Sequence, residues 1–108
     1  MTSIGHLING QRVNGGSRTQ PVYNPATGAS HHSVQLADVA TVQAAIANAE
    51  AAFPAWRNTP PLKRARVMSK LKELLEANAD TICKLITDVH GKVLADSLGE
   101  LQRGIENV

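Results

Sequence analysis

The hydrophobic period changes at Asp38, and that change constrains the fold more than any other feature of the sequence. After it, Val39, Val42, Ile46, Ala49, Phe53 and Trp56 recur at alternating spacings of three and four, which is one apolar face of a helix. Asp38 stands where an N-cap acceptor belongs. Pro54 is expected to kink or end this helix, because it lacks an N–H and its ring crowds the preceding turn. Thr59-Pro60-Pro61 is a break, and Pro61 suits the first turn of a second helix with the stripe Val67, Leu71, Leu74 and Leu75. Asn78 is placed to end that helix and Asp80 to cap a third. The third carries Ile82, Leu85, Ile86 and Val89, with Gly91 as its stop. Leu94, Leu98, Leu101, Ile105 and Val108 form the stripe of a fourth.

The residues before Asp38 contain no Asp or Glu and are rich in Gly, Pro, Asn, Ser and Thr. Leu7 to Val13 reads as two short strands around Asn9-Gly10, a pair that tolerates the positive φ angles of a tight hairpin. Asn14-Gly15-Gly16-Ser17 is a loop. Pro21 and Pro25 bracket Val22-Tyr23 and keep it extended. Asn24-Pro25-Ala26-Thr27-Gly28 is a turn, and Ser33 to Leu36 forms a further strand. The expected fold class is therefore α+β. Residues 1–37 form a hairpin arm of short strands and turns, and residues 38–108 a segment of about four α-helices.

Composition narrows the function classes. A length of 108 residues with 43% apolar and 19% charged residues is globular rather than disordered. Aromatic residues are only 3%, so the core must come from Ala, Leu, Ile and Val. No apolar run approaches the ~18 residues of a membrane helix, and no basic-then-apolar leader opens the chain. Cys83 is the one cysteine, which excludes an internal disulfide framework and a cysteine-based zinc site. A soluble protein of a reducing compartment follows, with a cytoplasmic location expected and no membrane partner. His31 and His32 are adjacent, His6 and His90 are isolated, and none has the helical spacing of a metal site.

The net charge of +2 says little, but its distribution says more. Arg57, Lys63, Arg64, Arg66, Lys70 and Lys72 fall in a stretch without acids, and acids concentrate from Glu73 to Glu106. The stretch reads as a solvated helix face, with a nucleic-acid patch as the rival. The rival lacks interleaved aromatics and any reading motif, so no nucleic-acid partner is expected. The fourth stripe reaches Val108 without a stop signal, and a few short strands are marginal alone. These features raise the expectation of a piece of a larger protein, with a free-standing interaction module pairing through that stripe as the alternative.

Six local motifs in order resemble the opening of the NAD(P)-dependent aldehyde dehydrogenase superfamily. They are Leu7-Ile8-Asn9-Gly10, Asn24-Pro25-Ala26-Thr27-Gly28, Phe53-Pro54-Ala55-Trp56, Arg64-Ala65-Arg66, His90-Gly91-Lys92 and Gly99-Glu100-Leu101. The segment Gly99 to Val108 is similar to G-E-[VL]-x-R-G-I-E-x-V of the CoA-acylating methylmalonate/malonate semialdehyde dehydrogenases. In that subfamily the arginine of the segment helps hold the substrate carboxylate, so the resemblance implies that role for Arg103. A guanidinium suits it, since its fork grips a carboxylate bidentately. Read without the resemblance, Arg103 is a surface ion-pair partner of Glu100 or Glu106. Val89 departs from the family, which commonly has Glu there.

The resemblance also implies an α/β aldehyde dehydrogenase fold around this segment, NAD as cofactor, CoA as co-substrate, a small semialdehyde substrate and a homo-oligomer. Residues 38–108 would belong to the cofactor-binding domain. The family's chemistry uses a cysteine in a G-Q-x-C segment, and no such segment occurs here. Cys83 lies between Ile82 and Lys84 on an apolar helix and reads as a small packing residue. No G-x-G-x-x-G or P-loop is present, and Gly15-Gly16 is a turn. The segment by itself is expected to hold no catalytic, cofactor-binding or metal-binding residue and to be inactive.

Overall fold

Five short strands precede four helices in the computed structural model, which describes residues 2–108. The strands are β1 (Thr2–Ile4), β2 (His6–Ile8), β3 (Gln11–Val13), β4 (Arg18–Tyr23) and β5 (Ser30–Leu36). The helices are α1 (Val39–Asn58), α2 (Pro61–Ala77), α3 (Ala79–His90) and α4 (Leu94–Ile105). The α+β class expected from the sequence is the class observed. Two compact units divide the chain. One runs to Tyr23 and resumes over Gly28–Asn58; the other comprises Asn24–Thr27 and Thr59–Val108. Compactness therefore groups α1 with the strands, although composition changes at Asp38.

In the first unit, β2 and β3 form the expected antiparallel hairpin, with Leu7 opposite Arg12. Asn9 and Gly10 turn it at φ 52° and 69°, the paired positive angles of a primed hairpin turn. A separate sheet has the order β1-β5-β4. β4 pairs antiparallel with β5, and Pro21 is accommodated because β4 is an edge strand. β1 pairs parallel with β5, Thr2 opposite His32 and Ile4 opposite Val34. Sequence reading missed β1: three residues carry no alternation, and their pairing is with a partner far along the chain.

Asp38 caps α1 as expected, its Oδ1 accepting the Thr41 N–H at 2.8 Å and the Thr41 hydroxyl at 2.7 Å. Pro54 does not end the helix, which continues to Asn58. Proline withholds one N–H from the Glu50 carbonyl, and the surrounding alanines are strong helix formers. The stripe is on one face, yet α1 has no buried residue. Phe53 is 57% and Trp56 43% exposed.

The second unit holds the buried core. Cys83, Leu101 and Ile105 are buried, with Leu75, Ala79 and Ile82 packed against them. Ser97 is completely buried, and its hydroxyl pairs with Thr87 Oγ1 at 3.0 Å and donates to the Val93 carbonyl at 3.3 Å. The bond to Thr87 ties α4 to α3, and the bond to Val93 closes the first turn of α4. Asp80 does not cap α3; it lies in the first turn, where a carboxylate complements the helix dipole, and Asn78 occupies the cap. Gly91 ends α3 at φ 84°, its N–H bonded to the Thr87 carbonyl at 2.8 Å. α4 stops at Ile105 rather than running to Val108. The Asn107 amide donates to the Arg103 carbonyl at 2.6 Å, closing the helix end.

Candidate functional site

Arg103 lies in the last turn of α4, exposed to solvent. Its guanidinium runs back along the helix, with Nη1 3.6 Å from where a Cβ on Gly99 would stand. Long helical side chains point toward the N-terminus, and the bare Gly99 leaves that path open. Neither acid that spacing offers to Arg103 takes it. The three ion pairs among the described residues are Lys70–Glu73, Lys72–Glu76 and Lys92–Glu100. The surface ion pair read from spacing alone is thus not formed.

Glu100 is bound instead by Lys92. Lys92 follows the left-handed Gly91 and precedes Val93, which is extended at φ −67° and ψ 154°. That short connection is held at both ends, by Gly91 to Thr87 and by Ser97 to Val93. The Lys92 ammonium donates to Glu100 Oε2. By that hydrogen bond and then by its charge, it holds the Glu100 carboxyl below the usual glutamate range. His90 and Arg103 add to the same effect. Spacing rules missed this pair because it spans a helix break; a lysine just past a glycine stop was its one visible sign.

The remaining candidates fall into structural places. Cys83 is 5% exposed inside the α3–α4 core, consistent with a packing role. His6 Nε2 lies 3.1 Å from the Gly15 carbonyl, and His31 and His32 meet edge to face at 6.4 Å. No group of three metal-ligating side chains occurs among the described residues. Lys70 and Lys72, from the basic stretch, pair with acids one turn on. Gly15 and Gly16 do not form a phosphate cradle. A Cβ at Gly15 would stand 2.6 Å from Thr41 Oγ1, and one at Gly16 2.1 Å from the Leu36 carbonyl, so the chain itself fills that space. Among the described residues no helix is long and apolar enough to cross a membrane.

The match to the aldehyde dehydrogenase family covers residues 13–108, and the chain belongs to that family. Within it, the chain is similar to malonate-semialdehyde dehydrogenases. It is 56% identical over all 108 residues to the one from Pseudomonas aeruginosa, covering 22% of that protein. Over 91 residues it is 43% identical to malonate-semialdehyde dehydrogenase 2 of Oceanobacillus iheyensis, covering 84% of this chain and 19% of that protein. Among solved structures, the methylmalonate-semialdehyde dehydrogenase of Oceanimonas doudoroffii superposes with a TM-score of 0.97 at 62% identity, over 99% of this chain and 22% of that one. A Sinorhizobium meliloti protein assigned as a methylmalonate-semialdehyde dehydrogenase, solved in complex with NAD, superposes at 0.94 and 41% identity, over 96% of this chain and 21% of that one. The chain thus spans about a fifth of the length of these relatives.

Proposed function

We propose that this chain is the N-terminal segment of an NAD-dependent, CoA-acylating dehydrogenase of malonate or methylmalonate semialdehyde, and that Arg103 binds the substrate carboxylate. The observation that carries the reading is an exposed arginine with no acid paired to it among the described residues, in a segment 56% identical to a malonate-semialdehyde dehydrogenase. A guanidinium left free in this way offers two parallel donors to a carboxylate. Gripping the acid end of a small semialdehyde fixes where its aldehyde carbon lies, which gives both orientation and chain-length selectivity.

In such an enzyme NAD accepts the hydride and CoA the acyl group. Neither site is assigned to residues of this chain, whose paired glycines are filled by its own backbone and side chains. Cys83, buried at 5% exposure, is not the nucleophile, so the segment alone is inactive. The whole enzyme is cytoplasmic and homo-oligomeric on this reading. Residues 38–108 belong to its cofactor-binding domain, and the exposed face of α1 is covered by further protein.

The test is Arg103→Leu in the full-length enzyme. The Michaelis constant for malonate semialdehyde rises about 10- to 100-fold, the size of one charge-assisted bidentate contact, while that for propanal stays within about twofold. Equal rises for both aldehydes would remove Arg103 from the substrate.

A further inference from the structure

We propose that Lys92 is a positioning residue for Arg103: by holding the Glu100 carboxylate, it keeps the guanidinium free for an anionic substrate. The inference rests on the substrate role proposed for Arg103. Glu100 precedes Arg103 by three residues on α4, a spacing at which acid and base ordinarily pair. That pair is absent, and Glu100 is bonded to Lys92 instead.

Lys92 is better placed than an ordinary surface lysine to win this competition. Its side chain is 20% exposed, against 67% for Lys70 and 52% for Lys72 in the two other ion pairs. A covered ammonium on a short, doubly anchored connection gives up less freedom to make the pair and is screened less by salt. Charge supports the same conclusion. Lys92, Glu100 and Arg103 sum to one positive charge, which matches one carboxylate. Removing the Lys92 charge brings the sum to zero and frees Glu100 to cover the guanidinium.

The experiment compares Lys92→Gln, Lys92→Arg and the double variant Lys92→Gln/Glu100→Gln in the full-length enzyme, with malonate semialdehyde and propanal as substrates. Lys92→Gln raises the Michaelis constant for malonate semialdehyde about 1.5- to 5-fold, the scale of one surface ion pair, with kcat and the propanal kinetics unchanged. Lys92→Arg keeps the pair and behaves as the parent. The double variant restores the charge sum and returns the constant to the parent value. A merely structural lysine would affect both aldehydes and would not be rescued by Glu100→Gln. No change in Lys92→Gln, an equal change for both aldehydes, or failure of the rescue overturns the role of Lys92 while leaving Arg103→Leu to judge the substrate site separately. If Arg103→Leu is itself unselective, both proposals fall.

Discussion

The Asn24 amide donates to the Asp88 carboxylate at 2.8 Å, joining residues 64 positions apart. The same Asn24 accepts the Ala26 N–H through Oδ1 at 2.9 Å, so one side chain both shapes the Asn24–Gly28 turn and docks it on α3. Beside it, a Cβ on Gly91 would stand 2.6 Å from Pro25 Cγ. Two motifs that look independent in the sequence, Asn-Pro-Ala-Thr-Gly and His-Gly-Lys, are therefore two sides of one contact. The glycine that stops α3 also leaves room for the proline of the turn.

That contact predicts the behaviour of Asn24→Asp. The new carboxylate keeps the bond to Ala26 but sets a negative charge against Asp88. Stability at neutral pH falls by about 1 kcal/mol, from the lost donor and the repulsion. The deficit shrinks at acid pH, because a proton on the introduced carboxyl removes the repulsion and restores a donor toward Asp88. Denaturant unfolding of the variant and parent at both pH values reads this directly. A deficit that does not depend on pH means the two side chains do not meet.

The hydroxyl pair of buried Ser97 and half-buried Thr87 predicts a coupling. Ser97→Ala strands the Thr87 hydroxyl and costs about 1–2 kcal/mol. Thr87→Val strands Ser97 less, since Ser97 keeps its bond to the Val93 carbonyl at 3.3 Å. The double variant leaves neither partner stranded and is less destabilised than the sum by at least about 0.5 kcal/mol. Strict additivity in the double-mutant cycle would show that the two hydroxyls act separately.

How far the sequence reveals this molecule depends on the range of the interaction. Local rules found the Asn9-Gly10 hairpin, the Asp38 cap, the Gly91 stop and four helices, because each depends on neighbours within a turn or two. They failed where the deciding partner is distant. β1 exists through β5, and Pro54 is carried by a helix long enough to lose one bond. Periodicity sets Leu94, Leu98, Leu101 and Ile105 on one stripe of α4, yet Leu101 and Ile105 are buried while Leu94 and Leu98 stay about half exposed. Periodicity marks a face without saying how much of it is covered. The role of Arg103 rests on resemblance alone; Lys92 gains meaning only when three-dimensional proximity brings Glu100 to it and away from Arg103.

Cys83→Ala separates packing from chemistry. The thiol sits against Leu101 and Ile105, so its loss leaves a small void and costs about 1 kcal/mol. In the full-length enzyme kcat stays within about twofold of the parent, because a thiol closed into the apolar core at 5% exposure is out of reach of a substrate. Turnover measured under saturating concentrations of the proposed substrates decides it. A loss of about 1000-fold or more would place Cys83 in the reaction.

Asp38 predicts a pH dependence at the start of α1. The Thr41 hydroxyl, then the Thr41 N–H, hold its carboxyl below the ordinary value of 3.8, and the charge of His6 adds slightly. The native carboxyl is thus more acidic than in the unfolded chain. The cap contributes fully above the unfolded value and is lost as pH falls through the lower native one, where the unfolded chain takes up the proton first. Amide exchange at Thr41 therefore speeds up, relative to the intrinsic rate, only once pH drops below the ordinary aspartate range. Asp38→Asn keeps an acceptor oxygen that does not titrate, so its protection at Thr41 stays flat across the same range. A parallel loss of protection in Asp38→Asn would assign the pH dependence to some group other than this cap.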